Sequence, residues 1–92
     1  MDHADCENRL VSIGKELMKD INNWEAWAAK ADILCTMGMF EIAIRCCDRS
    51  LAINPKNIFT WTTKGIALEK LGREEEALAA FAKAKELDLT NP

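Results

Sequence analysis

The side chains able to do chemistry are few in this sequence. It holds four cysteines and one histidine in 92 residues. Cys46 and Cys47 are neighbours, with Arg45 and Arg49 close by. A thiol becomes reactive when a cation lowers its pKa, so a redox pair is the first chemistry to weigh. Against it, successive residues on a helix point about 100° apart, so the two sulfurs do not face each other. His3 and Cys6 are three apart and share a helix face. Two ligands fall short of a structural zinc site, which takes four, and Cys6, Cys35, Cys46 and Cys47 contain no CxxC. The run Glu74-Glu75-Glu76 opens a helix, where negative charge suits the macrodipole. There is no Gly-rich phosphate loop and no catalytic serine motif. An enzyme needs a base, a nucleophile or a metal held in a pocket, so we expect no enzyme, no cofactor and no metal.

The elements that would carry these residues are helices. Ala, Leu, Ile, Lys and Glu dominate, Tyr is absent and Pro occurs twice. Strand-like alternation is hard to find, which points to an all-α chain. The net charge of −3 argues against a dedicated nucleic-acid binder, which would show a basic face. No apolar run approaches the roughly 18 residues of a membrane helix. The opening MDHADCENRL is acidic and polar, unlike a secretory signal. Free thiols in a reducing compartment then account for the cysteines, and a cytoplasmic location is expected.

Sliding the chain over itself by 34 residues aligns Trp27 with Trp61, Lys30 with Lys64, Leu34 with Leu68 and Gly38 with Gly72. Glu41 then meets Glu75, Ala43 meets Ala77, and Asn57 meets Asn91. Ala31 with Gly65, Ile44 with Leu78, Ser50 with Ala84 and Ile53 with Leu87 are conservative matches. A fixed period of this size marks a repeat architecture. Each unit reads as two helices, Trp24 to Met37 with Phe40 to Ile53, then Ile58 to Leu71 with Arg73 to Leu87. Asn57 sits at an N-cap position, and Asn22 with Glu25 has capping-box spacing. Gly38 and Gly72 end their helices where a left-handed residue is needed. A glycine at position 65, inside a packing stripe, costs about 1 kcal/mol relative to Ala, and close approach of a neighbouring helix would return it.

This pattern resembles the tetratricopeptide repeat, with Trp61, Lys64-Gly65, Leu68, Ala77 and Phe81 in one unit. The other has Trp27, Lys30-Ala31, Leu34, Ala43, Cys47 and Pro55. Lys replaces the family's Leu twice, Leu replaces Tyr twice, Cys47 replaces Phe, and Leu89 stands where Pro belongs. The resemblance covers residues 24 to 91 and implies an antiparallel helix-turn-helix stack, a right-handed solenoid of about five helices. Residues 1–23 would form a half repeat or cap, its stripe of Leu10, Ile13 and Leu17 repeating that of the later second helices. Residues 24–57 would form the first repeat and 58–92 the second. Cys47, at an aromatic position of the family, should pack in the core, with Cys46 partly exposed. The stems of Lys30 and Lys64 should cover apolar surface while their amines reach water. If Trp61 is buried, truncating it to Ala would cost roughly 3–5 kcal/mol.

The resemblance also implies a function, a non-catalytic scaffold or adaptor binding a peptide or helix on the concave face of the first helices. On that face lie Glu25, Ala28, Asp32, Cys35 and Thr36, then Phe59, Thr62, Thr63, Ile66, Glu69 and Lys70. Phe59 and Ile66 are its large apolar residues, and exposed apolar clusters rimmed by polar groups mark interaction sites. Chaperone-binding members of the family clamp a C-terminal carboxylate with Lys and Asn. The matching positions here are Ala28, Asp32 and Thr63, which offer no positive charge, so acidic chaperone tails should not bind. The expected partner is a protein or peptide, with neither nucleic acid nor membrane. The alternative is a homodimer through the last helix, or a segment of a longer array, because the Ala-rich side of that helix has no further repeat to meet.

Overall fold

The structure, a computed structural model, describes residues 3–90, apart from the side chain of His3. The suggested pairing of His3 with Cys6 and the match of Asn57 with Asn91 fall outside what is described. Five helices follow one another, α1 (His3–Lys19), α2 (Trp24–Thr36), α3 (Phe40–Ile53), α4 (Ile58–Lys70) and α5 (Glu74–Thr90). No strand occurs among the described residues. Each helix packs on its neighbours in sequence, and α2 also touches α4. The fold is an all-α stack of helical hairpins.

Local chemistry sets the hairpins. Gly38 and Gly72 have φ of +79° and +77°, a region nearly closed to other residues. Around them the Met39 N–H bonds to the Leu34 carbonyl (2.8 Å) and the Gly38 N–H to that of Cys35 (3.0 Å). Arg73 and Gly72 repeat the pair on Leu68 (2.9 Å) and Glu69 (3.0 Å). These paired bonds satisfy carbonyls that a helix end would otherwise leave bare. At the other ends, the Asn57 side chain accepts from the Thr60 N–H at 2.8 Å, as expected of an N-cap. The cap of α2 is Asn23, not Asn22; its side chain accepts from the Ala26 N–H at 3.1 Å. Asn22 lies one residue too early, and its N–H instead donates to the Asp20 carboxylate. The last helix starts at Glu74 and runs three residues beyond Leu87, to Thr90.

The core is made mostly of small residues. Cys6, Ile13 and Leu17 of α1 pack on Ala26 and Ile33, with Leu10 partly buried beside them. Ala31 and Leu34 meet Ala43, Cys46 and Cys47 between α2 and α3. Ile44 joins Ala67, Leu68, Ala77 and Ala80 in the third cluster. Alanines let helix axes approach closely, and the packing argument for Gly65 holds. A Cβ built there would lie 2.7 Å from Cε1 of Phe81. The Ser50 hydroxyl donates to the Trp24 carbonyl at 2.9 Å, tying α3 to the start of α2.

The tryptophans differ from expectation. Trp27 and Trp61 are only half-buried, because each indole N–H turns to the loop before its helix. Trp27 donates to the Ile21 carbonyl (2.7 Å) and Trp61 to that of Pro55 (2.8 Å). Truncating either should therefore cost less than the roughly 3–5 kcal/mol of a fully buried ring.

Candidate docking surfaces

One side of α2 and α4 carries the residues singled out from sequence. Phe59 and Ile66 are 53% and 41% exposed, two turns apart on α4. Glu25, Asp32, Thr36, Glu69 and Lys70 are exposed, while Cys35 and Thr62 are half-buried. Ala28 and Thr63 are buried instead of facing solvent. Their side chains are short, and the Thr63 hydroxyl is turned back to donate to the Phe59 carbonyl at 3.0 Å. The contact between α2 and α4 makes the two helices adjacent.

A groove of about 570 Å³ opens on the other side of α4. Ile44, Trp61, Leu68 and Ala80 form its apolar walls, and Asp48, Lys64, Arg73, Glu76 and Lys83 its charged rim. Lys64 does not reach freely into water as expected. It bridges to Asp48 at 2.7 Å and lies 5.6 Å from the centre of the Trp61 ring. Arg73 Nε donates to the Glu76 carboxylate, which raises the arginine's pKa and lowers the glutamate's. Sequence reading missed this groove. Asp48 and Lys64 are 16 residues apart on different helices, and no single-helix periodicity joins them.

The thiols are poorly suited to redox chemistry. Cys46, expected to be partly exposed, is 4% exposed, and Cys47 is fully buried. Both are slender enough to fit the α2–α3 seam side by side. Burial raises the Cys46 pKa, although Lys30 and Arg49 pull it down. Burial, with nearby Cys35 and Asp48, pushes Cys47 up to about 12. Burial and then Asp32 push Cys35 up to about 11. A raised pKa means less thiolate, the opposite of activation.

Family models and solved structures agree with this architecture. Tetratricopeptide-repeat models match residues 24–57 and 46–79, the second beginning inside α3. The chain belongs to the tetratricopeptide repeat family. The TPR repeat-containing protein MJ0798 of Methanocaldococcus jannaschii is 34% identical over 73 residues, 79% of this chain and 22% of that protein. The chain thus spans about a fifth of that relative. The crystal structure of MamA superposes with a TM-score of 0.89 at 21% identity, covering 94% of this chain and 50% of MamA. The TPR2B domain of yeast Sti1, in complex with pHsp70, gives 0.91 at 17% identity over 96% of this chain and 70% of that one. At these identities the two structures establish the fold. No helix among the described residues is long and apolar enough to cross a membrane.

Proposed function

We propose that the chain is a non-catalytic protein–protein interaction module that holds a peptide or helix of a partner on the α2/α4 face. The supporting observation is the exposure of Phe59 and Ile66, two turns apart along one side of α4. They are ringed by Glu25, Asp32, Thr62, Glu69 and Lys70, with Cys35, Ala28 and Thr63 as the floor. An apolar pair within a polar rim favours a partner that buries one or two large side chains and satisfies its polar groups at the edge. The complex of Sti1 with pHsp70 lends the reading analogy. The proposed setting is the cytoplasm, where buried free thiols stay reduced.

The test is a pull-down with the wild-type chain beside Phe59→Ala and Ile66→Ala. Both residues are exposed, so the variants should fold as the parent does, and circular dichroism would verify it. A partner retained by the folded double variant would refute this face as the site. The surface should also reject a Glu-Glu-Val-Asp peptide, since Asp32 is exposed and repels a carboxylate. Micromolar binding of that peptide would overturn the electrostatic argument.

Self-pairing through α5 is the second reading. It is favoured by Leu78 and Leu89, which are 67% and 77% exposed on that helix. It predicts stability that rises with protein concentration. Light scattering that finds a strict monomer at high concentration excludes it.

A further inference from the structure

The two repeats differ in the charge around their tryptophans. In the second, Lys64 lies over Trp61 and bridges to Asp48 at 2.7 Å. In the first, Trp27 carries two cations, with Lys30 Nζ at 5.5 Å and the guanidinium carbon of Arg49 at 5.0 Å from its ring centre. Lys30 stands 34 residues before Lys64, but the residue 34 before Asp48 is Gly14. The other carboxylate lining the Trp61 groove, Glu76, has Ile42 as its counterpart, and Ala79 has Arg45. The first repeat thus places Lys30, Arg45 and Arg49 at these positions and neither carboxylate.

None of the three basic groups pairs with a carboxylate among the described residues. Burial raises the Cys46 pKa while Lys30 and Arg49 both lower it, so the two charges act on the same residue of α3. Gathering like charges costs free energy, and an anion set against them relieves it. At Gly14 that anion has room, since a Cβ built there meets nothing within 4 Å. Lys30 is half-buried and Arg49 exposed, and a guanidinium lying on a ring keeps N–H donors at its edge.

We propose that Lys30 and Arg49, over Trp27, receive the carboxylate of an aspartate or glutamate of a partner protein, held as Asp48 is held in the second repeat. Arg49 offers a planar fork of donors to the two oxygens, and Lys30 a compact point charge. Exposed ion pairs are worth little each, so this contact alone binds on the order of millimolar. That is far weaker than the micromolar binding at issue for a Glu-Glu-Val-Asp peptide on the α2/α4 face. Trp27 and Lys30 lie on the side of α2 opposite Glu25, Asp32 and Thr36, given 3.6 residues per turn. The failure of one surface therefore leaves the other standing.

The test is an NMR titration of the ¹⁵N-labelled 92-residue chain at low salt, following the Trp27 indole N–H. The probes are an acetylated, amidated Gly-Asp-Gly peptide and its Gly-Asn-Gly counterpart, which keeps the shape and loses the charge. The aspartate peptide should shift the resonance saturably, and asparagine should weaken binding by about two- to thirtyfold, the worth of two exposed ion pairs. Lys30→Gln or Arg49→Gln should weaken the aspartate peptide. Lys85→Gln, which removes a charge from α5, should leave it unchanged. Gly14→Asp should also weaken it, because α1 then supplies the carboxylate as α3 does with Asp48, and Gly14→Ala should not. Circular dichroism checks that each variant folds. Equal binding of the two peptides, no saturable shift, full binding by Gly14→Asp, an equal loss in Lys85→Gln, or tighter binding of inorganic phosphate than of the aspartate peptide would each overturn the proposal.

Discussion

Replacing Gly65 by alanine sets two effects of known size against each other. Alanine in a helix interior is about 1 kcal/mol more favourable than glycine. The added methyl, however, would lie 2.7, 2.8 and 2.9 Å from three ring carbons of Phe81. Such overpacking costs typically 1–3 kcal/mol, so the net change should be a loss of zero to about 2 kcal/mol. For a domain of this size that lowers Tm by as much as roughly 15 °C. Gly14 supplies the control, since it also lies inside a helix, α1, and a Cβ there would meet nothing within 4 Å. Gly14→Ala should therefore stabilise by about 1 kcal/mol. The first repeat shows the alternative solution. Thirty-four residues before Gly65 and Phe81 stand Ala31 and Cys47, both fully buried, so a larger residue on one helix is matched by a smaller one on the other. Gly65→Ala with Phe81→Cys should consequently cost less than the sum of the two single changes. The assay is urea unfolding followed by circular dichroism. A Gly65→Ala variant stabilised as much as Gly14→Ala would refute the close-approach argument.

Asn23→Ala should lose about 1 kcal/mol and Asn22→Ala almost nothing, because only Asn23 accepts from the first turn of α2; equal losses in urea titrations would contradict the assigned cap. The thiol pKa values carry a pH dependence. Cys47 rises from 9.0 to about 12 on folding, so the unfolded chain releases its proton first. The stability from the buried neutral thiol is complete below pH 9 and is lost as pH climbs towards 12. Cys47→Ala should flatten that alkaline decline relative to wild type; unchanged slopes would show that the thiol does not couple to folding. Native-state labelling at neutral pH should find Cys46 no faster than free cysteine, and a faster reaction would restore the redox reading.

Much of the fold was legible because its strongest demands are local. Gly38 and Gly72 had to adopt positive φ, and the 34-residue spacing placed them at the same point of each hairpin. Leu10, Ile13 and Leu17 marked the inner stripe of α1, and all three pack on α2. One-residue questions were harder. Asn22 and Asn23 are chemically identical, and only the phase of α2 decides which one caps. Cys46 looked like a surface neighbour of a buried residue, yet two slender side chains fit where two leucines would not. Phe59 and Ile66 were found because the family resemblance points to their face of α4, whereas the burial of Ala28 and Thr63 was not legible from that resemblance. The groove over Trp61 left no trace in any one helix, since α3, α4 and α5 all contribute to it.

The neighbour-on-neighbour packing gives the molecule a direction. The helices from α2 to α4 each lean on both sequence neighbours, whereas α1 and α5 each lean on one, and α1 packs on α2 far less extensively than α5 packs on α4. In such a chain cohesion passes from one element to the next, and an end held by one contact surface opens at the lowest free energy. The amide protons of α1 should trade with solvent sooner than those of the α2–α3 seam. Warming would then peel the array from its first helix inward, and the Trp27 ring would report the loss before the Trp61 ring.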